Sequence, residues 1–100
     1  MLFTIIGYDV ENSLARRLAA RPAHVARLEI LQGLGRLSLA GPFPVISDNA
    51  TPQGFVGSLI VADFESLAAA HAWADADPYV EAGVYAKVDI FAFKKVFPSQ

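Results

Sequence analysis

Two histidines and one aspartate are the side chains of this sequence that are best suited to acid–base chemistry. His24 lies in a helical pattern in which Leu28 and Leu31 fall at about +40° and about −20° from it, so its imidazole projects from the middle of an apolar stripe. A histidine there can serve as a general base, because imidazole gains and loses its proton near neutral pH. The alternative is a partly buried structural histidine that binds a carbonyl or a carboxylate.

Asp77 is the carboxylate to test as a partner of that histidine. It precedes Pro78, and Asp-Pro is typical of the first helical turn, where the carboxylate accepts hydrogen bonds from the amides of Tyr79 or Val80. If it also faces His24, it can hold the Nδ1 proton and stabilise the imidazolium that forms when Nε2 removes a substrate proton. The spacing alone does not show that the two side chains meet.

The remaining polar candidates have simpler explanations. His71 falls on the apolar side of its own helix, where a structural role is expected. The first helix also carries a basic cluster, which is either a solvated face or an anchor for an anionic ligand. Its members are Arg16, Arg17, Arg21 and Arg27.

Glycine, proline and serine in two predicted strands mark bulges or places where a ligand approaches the backbone closely. These residues are Gly41 and Pro42 in one strand and Ser58 in the other. No set of His, Asp and Glu has the spacing of a metal site, and no glycine-rich loop joins a strand to a helix as nucleotide binding requires. We therefore expect neither a metal nor another cofactor.

The composition places these residues in an unusually apolar chain. Of 100 residues, 54% are hydrophobic, 18% are charged and none is cysteine, and the net charge is −2. One domain spanning residues 1–100 is expected, without disulfides and with no surface suited to nucleic acid. No apolar run approaches the roughly 20 residues of a membrane span, and no signal peptide pattern is present, so we expect a cytoplasmic protein.

The hydrophobic pattern predicts the element order β-α-β-β-α-β along the chain. Pro22 is expected to break or kink the first helical segment near Arg21 and to stand in the first turn of a second helix, and the stretch from Pro44 to Gly54 is predicted to be a loop. A tail from Lys94 to Gln100 follows the last strand. The predicted strands are Leu2 to Tyr8, Arg36 to Phe43, Phe55 to Ala62 and Val84 to Phe93, and the predicted helical segments are Leu14 to Leu34 and Leu67 to Ala76.

This order is that of an α+β ferredoxin-like fold, in which a four-stranded antiparallel sheet carries its helices on one face. The other face is expected to be apolar as well. In the last strand one set of alternating side chains is too aromatic for a face left in water, so a second copy of the chain is expected to cover it as a homodimer. That set comprises Tyr85, Lys87, Asp89, Phe91 and Phe93. A higher oligomer, formed through strand edges or the tail from Lys94 to Gln100, stays open.

Six short motifs in order resemble those of the YciI-like family over essentially the whole chain. They are Arg21-Pro22-Ala23-His24, Gly35-Arg36-Leu37 with Ala40-Gly41-Pro42, Gly54-Phe55-Val56-Gly57-Ser58, Asp75-Ala76-Asp77-Pro78-Tyr79, Gly83-Val84-Tyr85 and the tail Phe93-Lys94-Lys95-Val96-Phe97. Each motif is weak alone, but six in register are specific.

The resemblance implies a dimeric α/β-barrel type of ferredoxin-like fold and a histidine–aspartate pair at His24 and Asp77. It also implies that Gly41, Pro42 and Ser58 occupy the family's Gly-Pro and Gly-Ser positions, and it gives His71 no role. The chemistry proposed in that family is acid–base chemistry on small molecules, such as dehydrochlorination or other lyase and isomerase steps.

Three interpretations remain open at this point. The first is an enzyme with His24 and Asp77 as catalytic residues and with Ser58, Gly41, Pro42 and Arg21 binding an unidentified small molecule. The second is a non-catalytic binding or regulatory module that uses the same pair to contact a metabolite. The third is a structural dimer without a ligand, which a solvent-sealed His24 would support.

Overall fold

The apolar strands and helical segments assemble into one sheet with its helices packed on one face. In this computed structural model, residues 1–46 and 53–99 are described, so the predicted loop from Pro44 to Gly54 and the C-terminal tail lie partly outside the described residues. The elements are β1 (Leu2–Asp9), α1 (Leu14–Gly33), β2 (Leu37–Pro44), β3 (Phe55–Asp63), α2 (Leu67–Asp75), α3 (Pro78–Glu81) and β4 (Tyr85–Phe93).

The four strands form a single antiparallel sheet in the order β2-β3-β1-β4. The two central strands are apolar at both parities, as expected for strands with neighbours on both edges. The sheet and the helices share one core, which confirms the predicted ferredoxin-like α+β architecture. Its fully buried members are Phe3 and Ile5 on β1, Ile60 and Ala62 on β3, Phe64 after β3, Leu31 on α1, and Ala70 and Ala74 on α2.

Helix α1 continues without interruption through Pro22, so the predicted break near Arg21 is wrong. A proline inside a helix removes the hydrogen bond to the carbonyl four residues earlier, which here belongs to Leu18. Both Leu18 and Pro22 are exposed, so water can bind the Leu18 carbonyl and no backbone acceptor is left buried without a partner at this point. Buried side chains at seven-residue spacing hold the opposite side of the helix. They are Arg17, His24 and Leu31.

A β-bulge interrupts the pairing of β4 with β1. Tyr8 lies opposite Lys87, but the next residue, Asp9, lies opposite Tyr85, so β4 carries one extra residue at this point. The bulge reverses the alternation of side chains and turns Tyr85 toward the helices. The prediction that Tyr85 shares the open face with Lys87 is therefore wrong, because strict alternation holds only where the register is unbroken.

The Tyr85 ring fits on the helix side because Gly7 has no side chain. A Cβ atom at Gly7 would overlap the ring of Tyr85. The same ring meets the ring of Tyr79 edge-on, with centroids 5.7 Å apart. This close packing places a phenol against the backbone of the central strand β1.

The sheet face away from the helices carries large apolar side chains that nothing in residues 1–46 and 53–99 covers. The exposed ones include Leu39 and Phe43 on β2, Tyr8 on β1, and Phe91 and Phe93 on β4. The predicted second apolar face is therefore present. Separately, none of the helices in residues 1–46 and 53–99 has the length and apolarity needed to cross a membrane.

The Gly7→Ala substitution tests the packing of the Tyr85 ring. The added methyl group forces this ring to move, so we expect the free energy of unfolding to fall by about 1–3 kcal/mol. Urea unfolding followed by circular dichroism measures it. The matched control is Gly33→Ala in α1, where an added Cβ meets nothing within 4 Å and helix propensity predicts a small stabilisation. Equal urea midpoints for Gly7→Ala and the unsubstituted chain would contradict the close packing.

Candidate active site

His24 and Asp77 meet in the interior, between the middle of α1 and the start of α3. The His24 Nδ1 atom lies 2.9 Å from Oδ1 and 3.1 Å from Oδ2 of Asp77, and both residues are buried. The amide of Tyr79 donates to the same Oδ1 at 2.9 Å, so Asp77 caps α3 and binds the histidine at once. A carboxylate only accepts, and the neutral imidazole therefore carries its proton on Nδ1 and leaves Nε2 as a base.

Tyr79 fixes the plane of the imidazole. Its ring stacks on that of His24 with centroids 3.9 Å apart and planes 12° apart, and it is itself buried. Burial raises the pKa of the Tyr79 hydroxyl, and the nearby charges of Arg17 and Arg21 offset this only in part. The ring is therefore a neutral, rigid wall beside the histidine. From the sequence, only the backbone amide of Tyr79 is predicted to take part, as a donor to Asp77.

Arg17 forms a second buried polar group next to this pair. Its Nε and Nη2 atoms donate to the two Asp9 oxygens at 2.6 and 2.9 Å, and Nη2 also donates to the Gly57 carbonyl at 2.9 Å and to Ser58 Oγ at 2.7 Å. Ser13 donates to Asp9 at 2.6 Å. Burial alone would lower the pKa of Arg17, but the hydrogen bond and charge of Asp9 outweigh it and raise this pKa.

The four arginines of α1 have different environments, although the sequence presented them as one cluster. Arg16 donates to the Gly83 carbonyl at 3.1 Å, and the Arg27 guanidinium lies 4.3 Å from the centre of the Trp73 ring. Arg21 is exposed and lines the pocket described next. Arg17 is the buried one. Its position seven residues before His24 is the sequence signal that places it on the same inward stripe.

A pocket of about 170 Å³ lies between α1 and the strands β2 and β3, and His24 and Arg17 lie in its wall. A cavity of about 150 Å³ is enough to hold a benzene molecule, so this volume suits one six-membered ring. The four residues predicted to bind a ligand all line it, namely Arg21, Gly41, Pro42 and Ser58. Asp77 lies outside the lining and supports His24 from behind.

His71 lies apart from this site. It is exposed on α2, so its predicted position on the buried side of that helix is wrong. Helix α2 packs through Ala70 and Ala74, and a residue 100° from Ala70 faces outward. In the described part of the chain, no three His, Asp or Glu side chains are grouped closely enough to bind a metal ion.

Fold and site together define a class: a ferredoxin-like α+β domain with a buried histidine–carboxylate pair beside a pocket of ring size. The chain belongs to the YCII-related domain family, whose model matches residues 1–94. The family resemblance seen in the sequence is thereby confirmed.

The chain is similar to other bacterial proteins over nearly its whole length. It is 55% identical over 98 residues to Protein YciI of Escherichia coli O6:H1, a match covering 97% of this chain and 100% of the relative. With the same coverage it is 53% identical to an uncharacterized protein of Haemophilus influenzae. Among solved structures it is similar to 5-chloro-2-hydroxyhydroquinone dehydrochlorinase (TftG) of Burkholderia phenoliruptrix in complex with 2,5-dihydroxybenzoquinone. That match has a TM-score of 0.83, 29% identity and 94% coverage of each chain.

The Arg17→Met substitution tests the buried ion pair. It leaves the Asp9 carboxylate buried without its cation, and we expect a loss of about 3–5 kcal/mol in the free energy of unfolding. Chemical denaturation of Arg17→Met, Asp9→Asn and the double variant gives the coupling energy. The double variant should recover much of the loss, because no uncompensated charge then remains. Additive losses in the two single variants would show that the pair does not act as a unit.

Proposed function

We propose that this chain is an enzyme that performs acid–base chemistry on a small planar molecule bound in the pocket of α1, β2 and β3. His24 is the general base and acid, and Asp77 orients it. The observation that supports this most directly is the 2.9 Å contact between His24 Nδ1 and Asp77 beside a pocket that His24 itself lines. A histidine sealed from the pocket would favour a structural role, and this one is not sealed.

The chemistry starts with proton removal from the substrate by Nε2 of His24. The buried Asp77 carboxylate stabilises the imidazolium, as a carboxylate does wherever it orients a catalytic histidine. In a lyase of the dehydrochlorinase type acting on a chlorinated hydroquinone, the proton removed is a hydroxyl proton of the keto tautomer: the O–H electron pair forms a C=O bond, the ring double bond shifts, and chloride leaves with the C–Cl pair. In an isomerase, His24 returns the proton to a different atom. Both outcomes require the same pair.

The size of the pocket and one structural neighbour support a ring-shaped substrate. The similar dehydrochlorinase is described with 2,5-dihydroxybenzoquinone bound, a six-membered ring with oxygen substituents. In this chain the Asp9 charge neutralises Arg17, whereas Arg21 makes no ion pair within residues 1–46 and 53–99. Arg21 is thus suited to an anionic oxygen of the ligand, and Gly41 and Pro42 provide a flat wall.

We also propose that the chain acts as a homodimer joined through the open face of the sheet. Leu39 is 52% exposed, Phe91 57% and Phe93 43%, and they lie on the two edge strands of a sheet face that no other element within residues 1–46 and 53–99 covers. An isologous interface buries the same apolar face of both copies at once. The pocket lies on the helix side, so each subunit keeps its own.

The His24→Gln and Asp77→Asn substitutions test the catalytic pair. Asparagine caps a helix as well as aspartate does, so Asp77→Asn should keep the fold while losing the charge that stabilises the imidazolium. We expect turnover of 5-chloro-2-hydroxyhydroquinone or of a related substrate to fall by about 10²–10⁴ in either variant. Chloride release and absorbance measure the turnover, and calorimetry measures 2,5-dihydroxybenzoquinone binding.

Three results would decide among the interpretations. Full turnover in either variant would exclude the acid–base proposal. Stoichiometric binding of ligands that are never transformed would favour a non-catalytic binding module. A loss of several kcal/mol of stability in His24→Gln would show that the histidine is structural. His71→Gln is the matched control and should leave turnover unchanged, since His71 is exposed on another helix.

The Phe91→Asp substitution tests the dimer. A carboxylate in the middle of an apolar interface remains unpaired, so we expect the variant to sediment as a monomer at micromolar concentration, where the unsubstituted chain sediments as a dimer. Ile30→Asp, on the exposed side of α1, is the control and should stay dimeric. A monomeric unsubstituted chain at that concentration would exclude the proposal.

A further inference from the structure

The ligand pocket is polar at one end and apolar at the other, and helix α1 contributes to both ends. Its side chains in the pocket wall are Arg17, Arg21, His24, Val25 and Leu28. Most of them stand three or four residues apart, so they share one stripe of the helix. Along this stripe two guanidinium groups come first, the imidazole follows, and two aliphatic side chains come last. The direction of α1 therefore gives the pocket a fixed polarity.

Strand β3 carries the same order on the opposite wall. At the polar end, Arg17 Nη2 donates to Ser58 Oγ at 2.7 Å. At the other end, Leu28 packs against the core that contains Ile60, two residues further along β3. Both Ser58 and Ile60 are buried, and both line the pocket. The hydroxyl group therefore lies with the guanidinium groups, and the aliphatic side chains lie together at the far end.

Arg21 provides the positive charge that a ligand can use, and it lies at the polar end. Arg17 is neutralised by Asp9, whose Oδ2 atom lies 2.6 Å from its Nε atom. Arg21 is exposed, lines the pocket and makes no ion pair within residues 1–46 and 53–99. Strand β2 adds only the uncharged residues 40–42 to the wall, and no Asp or Glu of the described chain lines it. An anionic group is thus favoured at one end only.

We propose that the pocket takes an amphipathic ring, with one anionic oxygen group at the end of Arg21 and Ser58 and an apolar substituent at the end of Leu28. This inference rests on the proposed function and narrows its substrate class. A second anionic group at the apolar end would lose its hydration without gaining a hydrogen-bond donor, so doubly charged rings are selected against. Leu28 and Ile60 thereby determine specificity, and Arg21 determines orientation. His24 lies between the two ends, beside the ring itself.

The orientation is tested in crystals soaked with 4-bromobenzoate, because anomalous scattering locates the bromine atom. We expect one bromine peak beside Leu28 and Ile60, with the carboxylate beside Arg21. A bromine peak beside Arg21, or equal peaks at the two ends, would overturn the proposal. The measurement needs no turnover, so an oriented ring that is never transformed would contradict the proposed function and leave this inference intact.

The two ends are tested separately by calorimetry with a series of benzoates. We expect 4-methylbenzoate to bind about fourfold more tightly than benzoate, because its methyl group is buried. The uncharged 4-methylbenzamide should bind about tenfold more weakly than 4-methylbenzoate. Terephthalate and 2,5-dihydroxybenzoquinone carry oxygen at both ends of the ring and should also bind at least about tenfold more weakly. Equal affinities across the series, or no binding of 4-methylbenzoate at millimolar concentration, would overturn the proposal.

The Leu28→Lys substitution tests the apolar end. The aliphatic part of lysine keeps much of the packing while its ammonium group reaches the pocket, so terephthalate should now bind more tightly than 4-methylbenzoate. Ile30→Lys is the matched control, since it adds the same charge to the exposed side of α1, outside the pocket, and should keep the original order. An unchanged order in folded Leu28→Lys would contradict the role of Leu28. The bromine position answers the same question without a variant.

The Arg21→Gln substitution tests the polar end. We expect it to bind 4-methylbenzoate and 4-methylbenzamide with nearly equal affinity, because the charge that distinguishes them is gone. Arg16→Gln removes one charge of the same helix outside the pocket and should keep the tenfold preference for the anion. A preference that persists in Arg21→Gln would overturn the assignment of the anionic end to Arg21.

Discussion

The hydrogen bond between His24 and Asp77 is the interaction on which the site depends, and it connects two elements that the chain separates by 53 positions. A buried carboxylate needs donors, and Asp77 has two, the imidazole of α1 and the first amide of α3. The short helix α3 is therefore anchored to the middle of α1 by the same oxygen that orients the histidine. A change that moves α3 also moves His24, so the geometry of the site and the local folding share one contact.

The second buried pair, Asp9 and Arg17, lies beside the first, and it too satisfies a buried carboxylate with donors from another element. Its side chains are only 1% and 5% exposed, so neither charge is solvated and each depends on the other. Burying two such pairs costs desolvation free energy. The burial of many apolar side chains offsets this cost, in a chain with 54% hydrophobic residues and few charges. Tyr79 contacts both groups, since its ring stacks on His24 and lies 4.9 Å from the Arg17 guanidinium.

Much of the fold could be predicted from local patterns, because the apolar periodicity of a strand or a helix is visible within about ten residues. Most predicted boundaries lie within one residue of the observed ones. The pairing of His24 with Asp77 was a hypothesis that needed tertiary contact to decide. Two features depend on tertiary contacts and could not be predicted from local patterns. Helix α1 continues through Pro22 because Arg17 and His24, on either side of it, are packed in the interior. Tyr85 faces the helices because a bulge before Lys87 shifts the pairing of β4 with β1. The burial of Arg17 was readable in principle, because it shares the seven-residue spacing of His24 and Leu31.

The strand β3 explains how one small domain can carry a pocket on one face of its sheet and an open apolar surface on the other. Ser58 faces α1 and the pocket, whereas its neighbour Gly57 is in register with Tyr8, a residue of the open face. Alternation along one strand thus separates the two surfaces by the thickness of a sheet. The edge strand β2 closes the pocket with Gly41 and Pro42. Pro42 lacks an amide proton, which an edge strand tolerates and a central strand would not. The pocket wall therefore lacks an amide donor at Pro42 on the edge strand and carries the polar side chain of Ser58 on the central strand.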